Sequence, residues 1–324
     1  MSAEIFLSIC IPTYNRSSYL DTCLQSIVKQ VGNNNEVEIV ISDNVSNDKT
    51  SEIGELYSRN YSNVRYFRNE TNIGGDRNFI QVLKHGNGKY LKLLNDYGEF
   101  KDGGALKMLE IVKSHAENKE ILYFANGVSY LRKKDFYHSK DLDEFLRVCS
   151  FHSQWILTIG FWKNDFKTMM SYYQFKTKSF FQTELLFENF NLGKKAVTYS
   201  RAIIISNDVL NKKTGFNFFD VFINSYFNTI IVGLKNEKRI SKSTYRKEKN
   251  KFFADWVFPW YKKVRIKKNH SIEIDGKNAE SIIFKTFKYS PIFYLYLLYL
   301  PFYMIGFYVK KIIRYFKSKQ SQAG

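Results

Sequence analysis

The sequence has few cysteines and no set of them that suits a metal site or a disulfide framework. Its three cysteines, Cys10, Cys23 and Cys149, lie far apart, so we expect them to be reduced and buried. The five histidines are scattered and lack the spacing of metal ligands. Met1 to Glu4 contain no basic region or cleavage site, so no secretory signal is expected. These absences predict a cytoplasmic globular protein.

Two nucleotide-binding fingerprints are missing as well. No Gly-x-Gly-x-x-Gly motif follows the first predicted strand, and no Walker-type lysine loop occurs. The sequence therefore argues against a dinucleotide-dependent dehydrogenase and against a P-loop ATPase. In contrast, positive charge is abundant, because the 324 residues carry a formal net charge of +18. This charge predicts an anionic partner, which can be nucleic acid, anionic lipid or a phosphorylated substrate.

The first hundred residues alternate strand and helix patterns. Four apolar runs predict buried strands, at residues 5–11, 37–41, 64–67 and 89–94. Between the first two runs, Leu20, Leu24 and Ile27 fall on one helix face, and Ser17 or Ser18 is expected to cap that helix. The order β-α-β-α-β-α-β predicts an α/β fold with a doubly wound, mostly parallel sheet.

Polar residues follow the ends of these strands. In open α/β sheets, ligands bind beyond the carboxyl ends of the strands, so Asp96 is a candidate binding residue. The alternative is that Asp96 only caps the next turn. Tyr14 and Arg16 offer an aromatic face and a cation where the first strand meets a helix. Arg77 follows a pair of glycines that let the backbone approach a ligand, and it suits a phosphate.

Several separated motifs resemble one enzyme family. They are Ser8–Arg16, Val40–Asn44 with Ser46 and Asp48–Thr50, and Asn69–Gly74 with Arg77 and Asn78. In this order they resemble family 2 of the nucleotide-sugar glycosyltransferases, and within it the abequosyltransferase-like bacterial enzymes that add sugars to O-antigen or capsule units. The resemblance covers about the first hundred residues. It implies a GT-A fold, a nucleotide-sugar donor, a divalent metal and inversion at the anomeric carbon.

The resemblance also implies roles for individual residues. The donor would be bound by Pro12, Thr13, Tyr14, Arg16, Gly74, Arg77 and Asp96, with Asp43 at the base. Asp96 matches the first acid of the family's metal-binding element, which usually continues with further aspartates, whereas Tyr97, Gly98 and Glu99 follow here. Mg²⁺ or Mn²⁺ would therefore be held by Asp96 alone or with Glu99, since an ion carried by a diphosphate needs only one or two protein carboxylates.

An inverting transfer needs a base for the acceptor hydroxyl. The family places an acid at the head of a helix that precedes a Gly-Lys turn and a strand, and Glu184 is the best match, before Gly193 and a predicted strand at 196–205. The alternative is that Glu184 is only a first-turn acid favoured by the helix dipole. Asp220, in an aromatic run, and Asp165, which is expected to cap a helix, are the reserves.

The C-terminal third differs in composition. Residues 235–268 contain thirteen Lys or Arg and three acids, whereas residues 290–309 contain no charge and are flanked by lysines on both sides. Twenty uncharged residues can span a membrane. The two basic flanks, the prolines and the tyrosines favour instead a monotopic helix or a shallow hairpin on the anionic inner leaflet. A soluble helical pair packed on the catalytic domain is the alternative.

Together these patterns predict three regions. Residues 1–125 would bind the nucleotide-sugar, residues 126–234 would form the acceptor side, and residues 235–324 would associate with the membrane. The predicted function is inverting sugar transfer to a lipid-linked glycan at the inner face of the cell membrane, in bacterial surface polysaccharide synthesis. The missing aspartate leaves an inactive nucleotide- or glycan-binding homologue as an alternative. A basic nucleic-acid-binding protein is a further alternative, but the charge lies beside a membrane-like segment.

Overall fold

A computed structural model of the protein describes residues 4–131, 133–207, 212–267 and 272–320. Met1 to Ala3 and Lys268, which the predictions above used, lie outside these residues. The chain forms two compact units. Unit 1 comprises Met1–Val209 and Gly233–Thr244, and unit 2 comprises Leu210–Val232 and Tyr245–Gly324. The functional division at residues 125 and 234 stays a prediction.

Unit 1 alternates strands and helices over its first half. Its strands are β1 Leu7–Thr13, β2 Val37–Asp43, β3 Val64–Arg68, β4 Tyr90–Leu93, β5 Gly98–Phe100, β6 Ile121–Phe124, β7 Phe136–Ser139, β8 Gly160–Trp162, β9 Ala196–Tyr199 and β10 Ile204–Ser206. Its helices are α1 Ser17–Val31, α2 Thr50–Asn60, α3 Gly75–His85, α4 Gly104–Ser114, α5 Leu142–Cys149, α6 Lys163–Tyr172, α7 Phe181–Glu188 and α8 Val232–Asn236, the last beginning at the unit boundary.

The main sheet has the strand order β3-β2-β1-β4-β8. The first four strands run parallel, and β8 pairs antiparallel to β4. The prediction of a doubly wound, mostly parallel sheet is thus confirmed. Thr13 pairs with Asp43, and Asp43 pairs with Arg68, so the carboxyl ends of three strands lie in one row. Smaller sheets pair β10 with β5 and order β6, β9 and β7.

The core lies between this sheet and the helices that cross over it. Every residue of β1 and β2 is buried, and so are Leu20, Leu24 and Ile27 of α1, as their spacing predicted. The three cysteines are free and buried, as predicted. Gly88 allows β4 to approach β1, because a Cβ atom there would lie 2.8 Å from the backbone nitrogen of Ser8.

Two local predictions were wrong. Neither Ser17 nor Ser18 caps α1. Instead, the Ser17 N–H donates a hydrogen bond to Asp48 Oδ2 (3.0 Å), so a side chain from the next loop satisfies this helix terminus. The strand predicted at 196–205 is two strands, β9 and β10, in different sheets. Asp48 supplies this cap because its other oxygen accepts from the Thr50 N–H and holds the loop in place.

Unit 2 is helical and rich in aromatic residues. Its elements are β11 Lys212–Asn217, the helical segment Asp220–Ile231, α9 Lys242–Phe252, the helical segment Phe253–Val257, α10 Phe258–Tyr261, the helical segment Lys262–Lys267, β12 Ile272–Asp275, α11 Ala279–Phe287 and α12 Pro291–Gln320, with the first residues of α9 in unit 1. Phe253 lies at the centre, 4.8 Å from Phe287 and 5.5 Å from Tyr296 between ring centroids. Helix α12 continues through Pro301, so the shallow hairpin was wrong.

Candidate active site

Asp96 follows β4 and connects two loops at the carboxyl edge of the sheet. Its side chain is 2% exposed. Oδ2 accepts a hydrogen bond from Thr13 Oγ1 (2.9 Å), and Oδ1 lies 2.9 Å from Arg16 Nη1. The structure therefore brings together three residues predicted to bind the donor, with Asp96 lying 83 and 80 positions from Thr13 and Arg16 in sequence. This contact argues against a mere turn-capping role for Asp96.

Arg16 places a cation at this edge. Its guanidinium lies over the ring of Tyr97, 5.3 Å from the centroid, and its side chain keeps 30% exposure. Burial alone would lower the pKa of Arg16, but the charge of Asp96 and the hydrogen bond to it raise that pKa above its ordinary value. The guanidinium is therefore permanently charged, and it is still accessible to an anionic ligand. Tyr14, which precedes it by two residues, is 43% exposed.

Asp43 organises the neighbouring strand ends. Its Oδ1 accepts from the Ser46 N–H (2.9 Å), and its Oδ2 accepts from Tyr66 Oη and Arg68 Nη1 (both 2.8 Å). Ser46 Oγ in turn accepts from the Asn15 N–H (2.8 Å), which connects the Asp43 cluster to the loop after β1. The carboxylate is fully buried, so its contact with a base stays a prediction, and in the structure it stabilises the edge.

A network of asparagines fixes the loop that leads to α3. Asn44 Nδ2 donates to Asn72 Oδ1 (2.8 Å), and Asn44 Oδ1 accepts from Asn69 Nδ2 (3.1 Å) and from the Ile73 N–H (2.9 Å). Asn69 Nδ2 also donates to Asn78 Oδ1 (3.0 Å). Because Asn44 directly follows β2, the network sets the start of α3 relative to the carboxyl edge of the sheet.

The network presents Gly74, Asp76 and Arg77 at the start of α3. Gly74 has φ +83°, a conformation that glycine adopts without strain. Asp76 and Arg77 are exposed. Solvent reaches Asp76, yet enough protein surrounds its carboxyl group that desolvation raises its pKa to about 6. The start of α3 therefore carries the exposed cation of Arg77 next to Asp76, a carboxyl group with a pKa of about 6.

Glu184 lies in the first turn of α7, as predicted, and is almost fully buried. Its Oε2 accepts from Tyr173 Oη (3.0 Å) and the Lys176 N–H (2.8 Å), and its Oε1 accepts from the N–H (2.9 Å) and Oγ1 (2.7 Å) of Thr177. The carboxylate thus holds the segment before α7. Its role as the base stays a prediction.

The reserve residues lie elsewhere. Asp220 belongs to unit 2, where it begins a helical segment and accepts a hydrogen bond from Asn224 Nδ2 (2.7 Å). Asp165 lies in the first turn of α6 but does not cap it, since Trp162 occupies the cap position. Asp165 instead forms an ion pair of 2.5 Å with Lys194.

A divalent metal was predicted at Asp96 and Glu99. Glu99 Oε1 accepts a short hydrogen bond from Asn207 Nδ2. Among the residues that the structure describes, no group of three or more His, Cys, Asp or Glu side chains could hold a metal. Carboxylate oxygens are the ligands that Mg²⁺ and Mn²⁺ prefer, so the chemistry of Asp96 suits a metal contact. The residues fit an ion that a diphosphate brings to Asp96, rather than a site built from protein ligands alone.

Sequence reasoning missed Asp76 and the asparagine network. Four asparagines, at 44, 69, 72 and 78, were a visible signal. However, asparagine is common in turns, so the residue type alone does not distinguish a network from separate turns.

Curated relatives resemble the N-terminal part of the chain. Abequosyltransferase RfbV of Salmonella typhimurium is 36% identical over 123 residues, which are 38% of this chain and 36% of that protein. The Campylobacter jejuni enzyme GalNAc(5)-diNAcBac-PP-undecaprenol beta-1,3-glucosyltransferase is 26% identical over 160 residues, which are 44% of this chain and 50% of that protein. The similarity thus spans between about a third and half of each relative.

The fold is similar over a longer stretch. The structure of S. aureus TarS 1-349 in complex with UDP-GlcNAc matches with a TM-score of 0.62 and 17% identity, and the match covers 81% of this chain and 76% of that one. This likeness confirms the predicted GT-A-like fold. The family model described as Glycosyl transferase family 2 matches residues 8–182, more than half of the chain. With the motifs at the sheet edge and the fold in agreement, the chain belongs to glycosyl transferase family 2.

Proposed function

We propose that the protein is an inverting glycosyltransferase that moves a sugar from a nucleotide-sugar to a lipid-linked glycan in bacterial surface polysaccharide synthesis. The observation that carries the proposal is the cluster of Thr13, Arg16 and Asp96 at the carboxyl ends of β1 and β4. It combines a buried carboxylate with an accessible, permanently charged guanidinium, and the exposed Tyr14 lies two residues before Arg16 in the same loop. These groups suit a ligand that has an aromatic base, hydroxyl groups and a diphosphate.

The residues of the edge would act on the leaving diphosphate. Negative charge develops on the diphosphate as the bond to the sugar breaks, and a fixed cation near it lowers the barrier. Arg16 is held by Asp96 and so needs no reorganisation to act there. Arg77, at the start of α3, would contact the donor from the opposite loop, and the Tyr14 ring would stack on the base.

A divalent ion would complete the charge balance. Asp96 would hold Mg²⁺ or Mn²⁺, which would supply positive charge for the leaving diphosphate. Asp96 would orient this ion, since Thr13 and Arg16 fix its carboxylate. Transfer should then be lost in EDTA and restored by Mg²⁺ or Mn²⁺.

Deprotonation of the acceptor is assigned to Glu184. Inversion requires a base on the face opposite the leaving diphosphate. The four hydrogen bonds from residues 173–177 occupy both oxygens of the Glu184 carboxylate, so they would have to loosen before the carboxylate could accept the acceptor's proton. We therefore expect the segment 173–177 to shift when the acceptor binds.

A lipid-linked acceptor is supported by the composition of unit 2. Of the net charge of +18, unit 2 carries +13, from 19 Lys and Arg residues against six Asp and Glu residues. Its helix α12 contains a stretch, Pro291–Lys310, that is long and apolar enough to cross a membrane, with a mean hydropathy of 1.7 and only 6% of it buried. A relative is named for an undecaprenol-linked substrate. We propose that unit 2 holds the enzyme on the inner face of the cell membrane.

The test measures donor binding and transfer separately. Thermal shifts with UDP, GDP, CDP and dTDP, with and without Mn²⁺, identify the nucleotide, because a ligand that binds the native state raises its melting temperature. Release of free nucleoside diphosphate from the matching sugar donors, with bacterial membranes as acceptor, then measures transfer. If none of the four nucleotides raises the melting temperature, the proposal is wrong.

A nucleotide-sugar-binding protein without transferase activity is the second candidate. It is favoured by the hydrogen-bonded state of Glu184 and by Tyr97 and Gly98, which stand where the family has further aspartates. A nucleotide-dependent thermal shift together with no nucleoside diphosphate release from any donor would favour this candidate over the enzyme.

A further inference from the structure

Unit 2 contains an apolar pocket that the site described above does not use. Its volume is about 230 Å³, and it lies between the segment Phe253–Tyr261, helix α11 and the first turns of α12. Among the described residues that line it, only Glu280 is charged. That carboxylate is paired with Arg265 (3.0 Å) and accepts a hydrogen bond from Tyr261 Oη (3.2 Å), so the charge is compensated at the rim.

The walls of the pocket are largely aromatic. Tyr296 lies edge-on to Phe258, with ring centroids 4.5 Å apart, and Phe253 lies edge-on to Phe293 at 5.7 Å. Edge-on contacts of this kind stabilise the packing of the rings beyond the area that they bury. A polar ligand or a cluster of waters would find few hydrogen-bond partners here, whereas an apolar cavity of comparable size takes up hydrocarbon.

The pocket adjoins the helix proposed to contact the membrane. Leu297 and Leu300 of α12 line it, while Leu295 and Leu298, on the same turns, are 64% and 70% exposed. One stretch of α12 therefore presents apolar side chains both to the pocket and away from the protein. A chain that leaves a bilayer beside α12 would reach the pocket without crossing a polar surface.

Cations surround the same aromatic cluster. The Lys262 ammonium lies 4.7 Å from the ring centroid of Phe258 and 4.5 Å from that of Tyr303. Lys288 lies 5.9 Å from the ring centroid of Phe284, another lining residue. An apolar pocket with lysines beside it is complementary to a molecule that has a long hydrocarbon chain and an anionic phosphate at its end.

We propose that this pocket binds a segment of the polyprenyl chain of the lipid-linked acceptor, with the phosphate at the chain's end near Lys262. The inference rests on the proposed function, because it names the part of the acceptor that unit 2 recognises. Binding of the chain would add to acceptor affinity independently of the sugar. The KM for acceptors with a long chain should therefore be lower than the KM for acceptors with a short chain.

The test uses the full chain in detergent micelles with undecaprenyl phosphate as the probe, read by native mass spectrometry. Leu297→Trp fills the pocket from α12. Met304→Trp is the matched control, because it makes a similar change two helical turns further along α12 at a residue that does not line the pocket. We expect one bound undecaprenyl phosphate in the wild type, at least tenfold weaker binding in Leu297→Trp, and binding within twofold of wild type in Met304→Trp.

A second measurement does not depend on the folding of a variant. A benzophenone-bearing undecaprenyl phosphate, irradiated with the wild-type protein, should crosslink to peptides from Ala279–Phe287 and from residues 291–300. Crosslinks only to other segments, or equal binding by Leu297→Trp and Met304→Trp, would overturn the inference. Equal competition by dioleoyl phosphatidylglycerol would also overturn it, since the pocket would then accept any membrane lipid.

Failure of the inference and failure of the proposed function give different results. A protein that binds undecaprenyl phosphate in the pocket but releases no nucleoside diphosphate from any donor supports the inference and contradicts the transferase. A protein that transfers sugar equally well to acceptors with ten-carbon and with undecaprenyl chains supports the transferase and contradicts the inference.

Discussion

The Arg16 guanidinium lies 2.9 Å from the Asp96 carboxylate, and this ion pair joins the loop after β1 to the loop after β4. The two residues differ in exposure, since the Asp96 side chain is 2% exposed and that of Arg16 is 30% exposed. The buried partner thus orients the accessible one. Because Asp96 also accepts from Thr13, removal of its charge should affect both the ligand site and the stability of the sheet edge.

Asp96→Asn should abolish most of the transfer and also destabilise the protein. The variant leaves Arg16 without its counter-charge, and breaking such a partly buried pair costs about 3 kcal/mol of unfolding free energy. Loss of a preorganised charge at a reacting diphosphate should lower kcat about a hundredfold or more. Urea denaturation measures the first effect, and nucleoside diphosphate release at saturating donor measures the second.

The control for this experiment is Asp102→Asn. Asp102 also forms an ion pair, 2.8 Å from Lys29, but its side chain is 92% exposed. Exposed pairs contribute little to stability, so neither stability nor transfer should change much. Equal activity of Asp96→Asn and Asp102→Asn would remove Asp96 from the site.

Asp76 should make stability and donor binding depend on pH. Its pKa is raised to about 6 in the native state from an ordinary value of 3.8, because of desolvation. The native state therefore binds this proton more tightly than the unfolded state, and the unfolding free energy should fall as the pH rises from about 4 to about 6. Asp76→Asn should remove that fall, so the variant should equal wild type at pH 4 and exceed it at pH 7. Solvent exposure of Asp76 keeps the difference small.

The same substitution should strengthen donor binding at pH 7, since an ionised Asp76 repels a diphosphate held by Arg77. The matched control is Glu70→Gln, which makes the same change of charge at an exposed residue earlier in the loop. Calorimetric titration with the identified nucleoside diphosphate at pH 5 and pH 7 measures the effect. An unchanged pH dependence in Asp76→Asn would rule out this role.

Glu184→Gln should show whether Glu184 only holds the segment 173–177 or also acts as the catalytic base. A glutamine amide has one acceptor oxygen and brings two N–H donors toward the N–H of Lys176, so part of the network is lost and unfolding should become easier by about 2 kcal/mol. Thr177→Val is the control, because it keeps the carboxylate while it removes one hydrogen bond to Glu184 and the long one that Thr177 Oγ1 accepts from the Phe180 N–H (3.3 Å). It should cost about 1 kcal/mol and leave transfer nearly unchanged.

The pH dependence of transfer distinguishes the two roles of Glu184. If Glu184 is the base, its replacement lowers kcat by about a hundredfold or more, and the acid limb of the kcat profile disappears only in Glu184→Gln. If Glu184 only holds the segment 173–177, the acid limb persists and the loss of activity follows the loss of stability in both variants.

Local periodicity was sufficient to predict the four parallel strands and three helices in the first hundred residues of unit 1. The first strand was predicted to end before Pro12, whereas β1 continues to Thr13, because a proline near a strand end removes only one possible ladder hydrogen bond. The antiparallel strand β8 was not predicted. Its three residues, Gly160–Trp162, are too short a run to show a period, and pairing with β4 alone defines it.

Two of the clustered residues were named from the sequence, Asp96 because it follows a predicted strand and Thr13 because of the family resemblance. Their contact could not be predicted, since it depends on the pairing of β1 with β4. The hydrogen bonds to Glu184 come from an irregular segment whose conformation no periodic pattern specifies. The pKa of Asp76 likewise depends on how much protein surrounds it, which composition does not reveal.

Helix α12 should bind membranes through one face. Leu298 and Phe302 are 70% and 73% exposed and lie one turn apart, whereas Tyr299 and Tyr303 lie within 6 Å of the Lys262 ammonium. The tyrosine rings thus contact Lys262 of the same unit. The Leu298 and Phe302 side chains, in contrast, are mostly uncovered by the described residues. This division favours a helix that lies in the interface over one that crosses the bilayer.

The double variant Leu298→Asp and Phe302→Asp should therefore no longer sediment with vesicles of phosphatidylglycerol and phosphatidylcholine. Leu106→Asp, at a leucine of α4 that is 44% exposed, is the control and should sediment as wild type does.

Raising the salt concentration should weaken wild-type binding, since each basic residue near an anionic surface contributes about 1 kcal/mol at physiological ionic strength. Alkaline carbonate should extract the wild type from bacterial membranes, because a helix in the interface is held less tightly than one that spans. Resistance to carbonate would show that α12 crosses the membrane, and unchanged sedimentation of the double variant would show that the exposed face of α12 does not carry the binding.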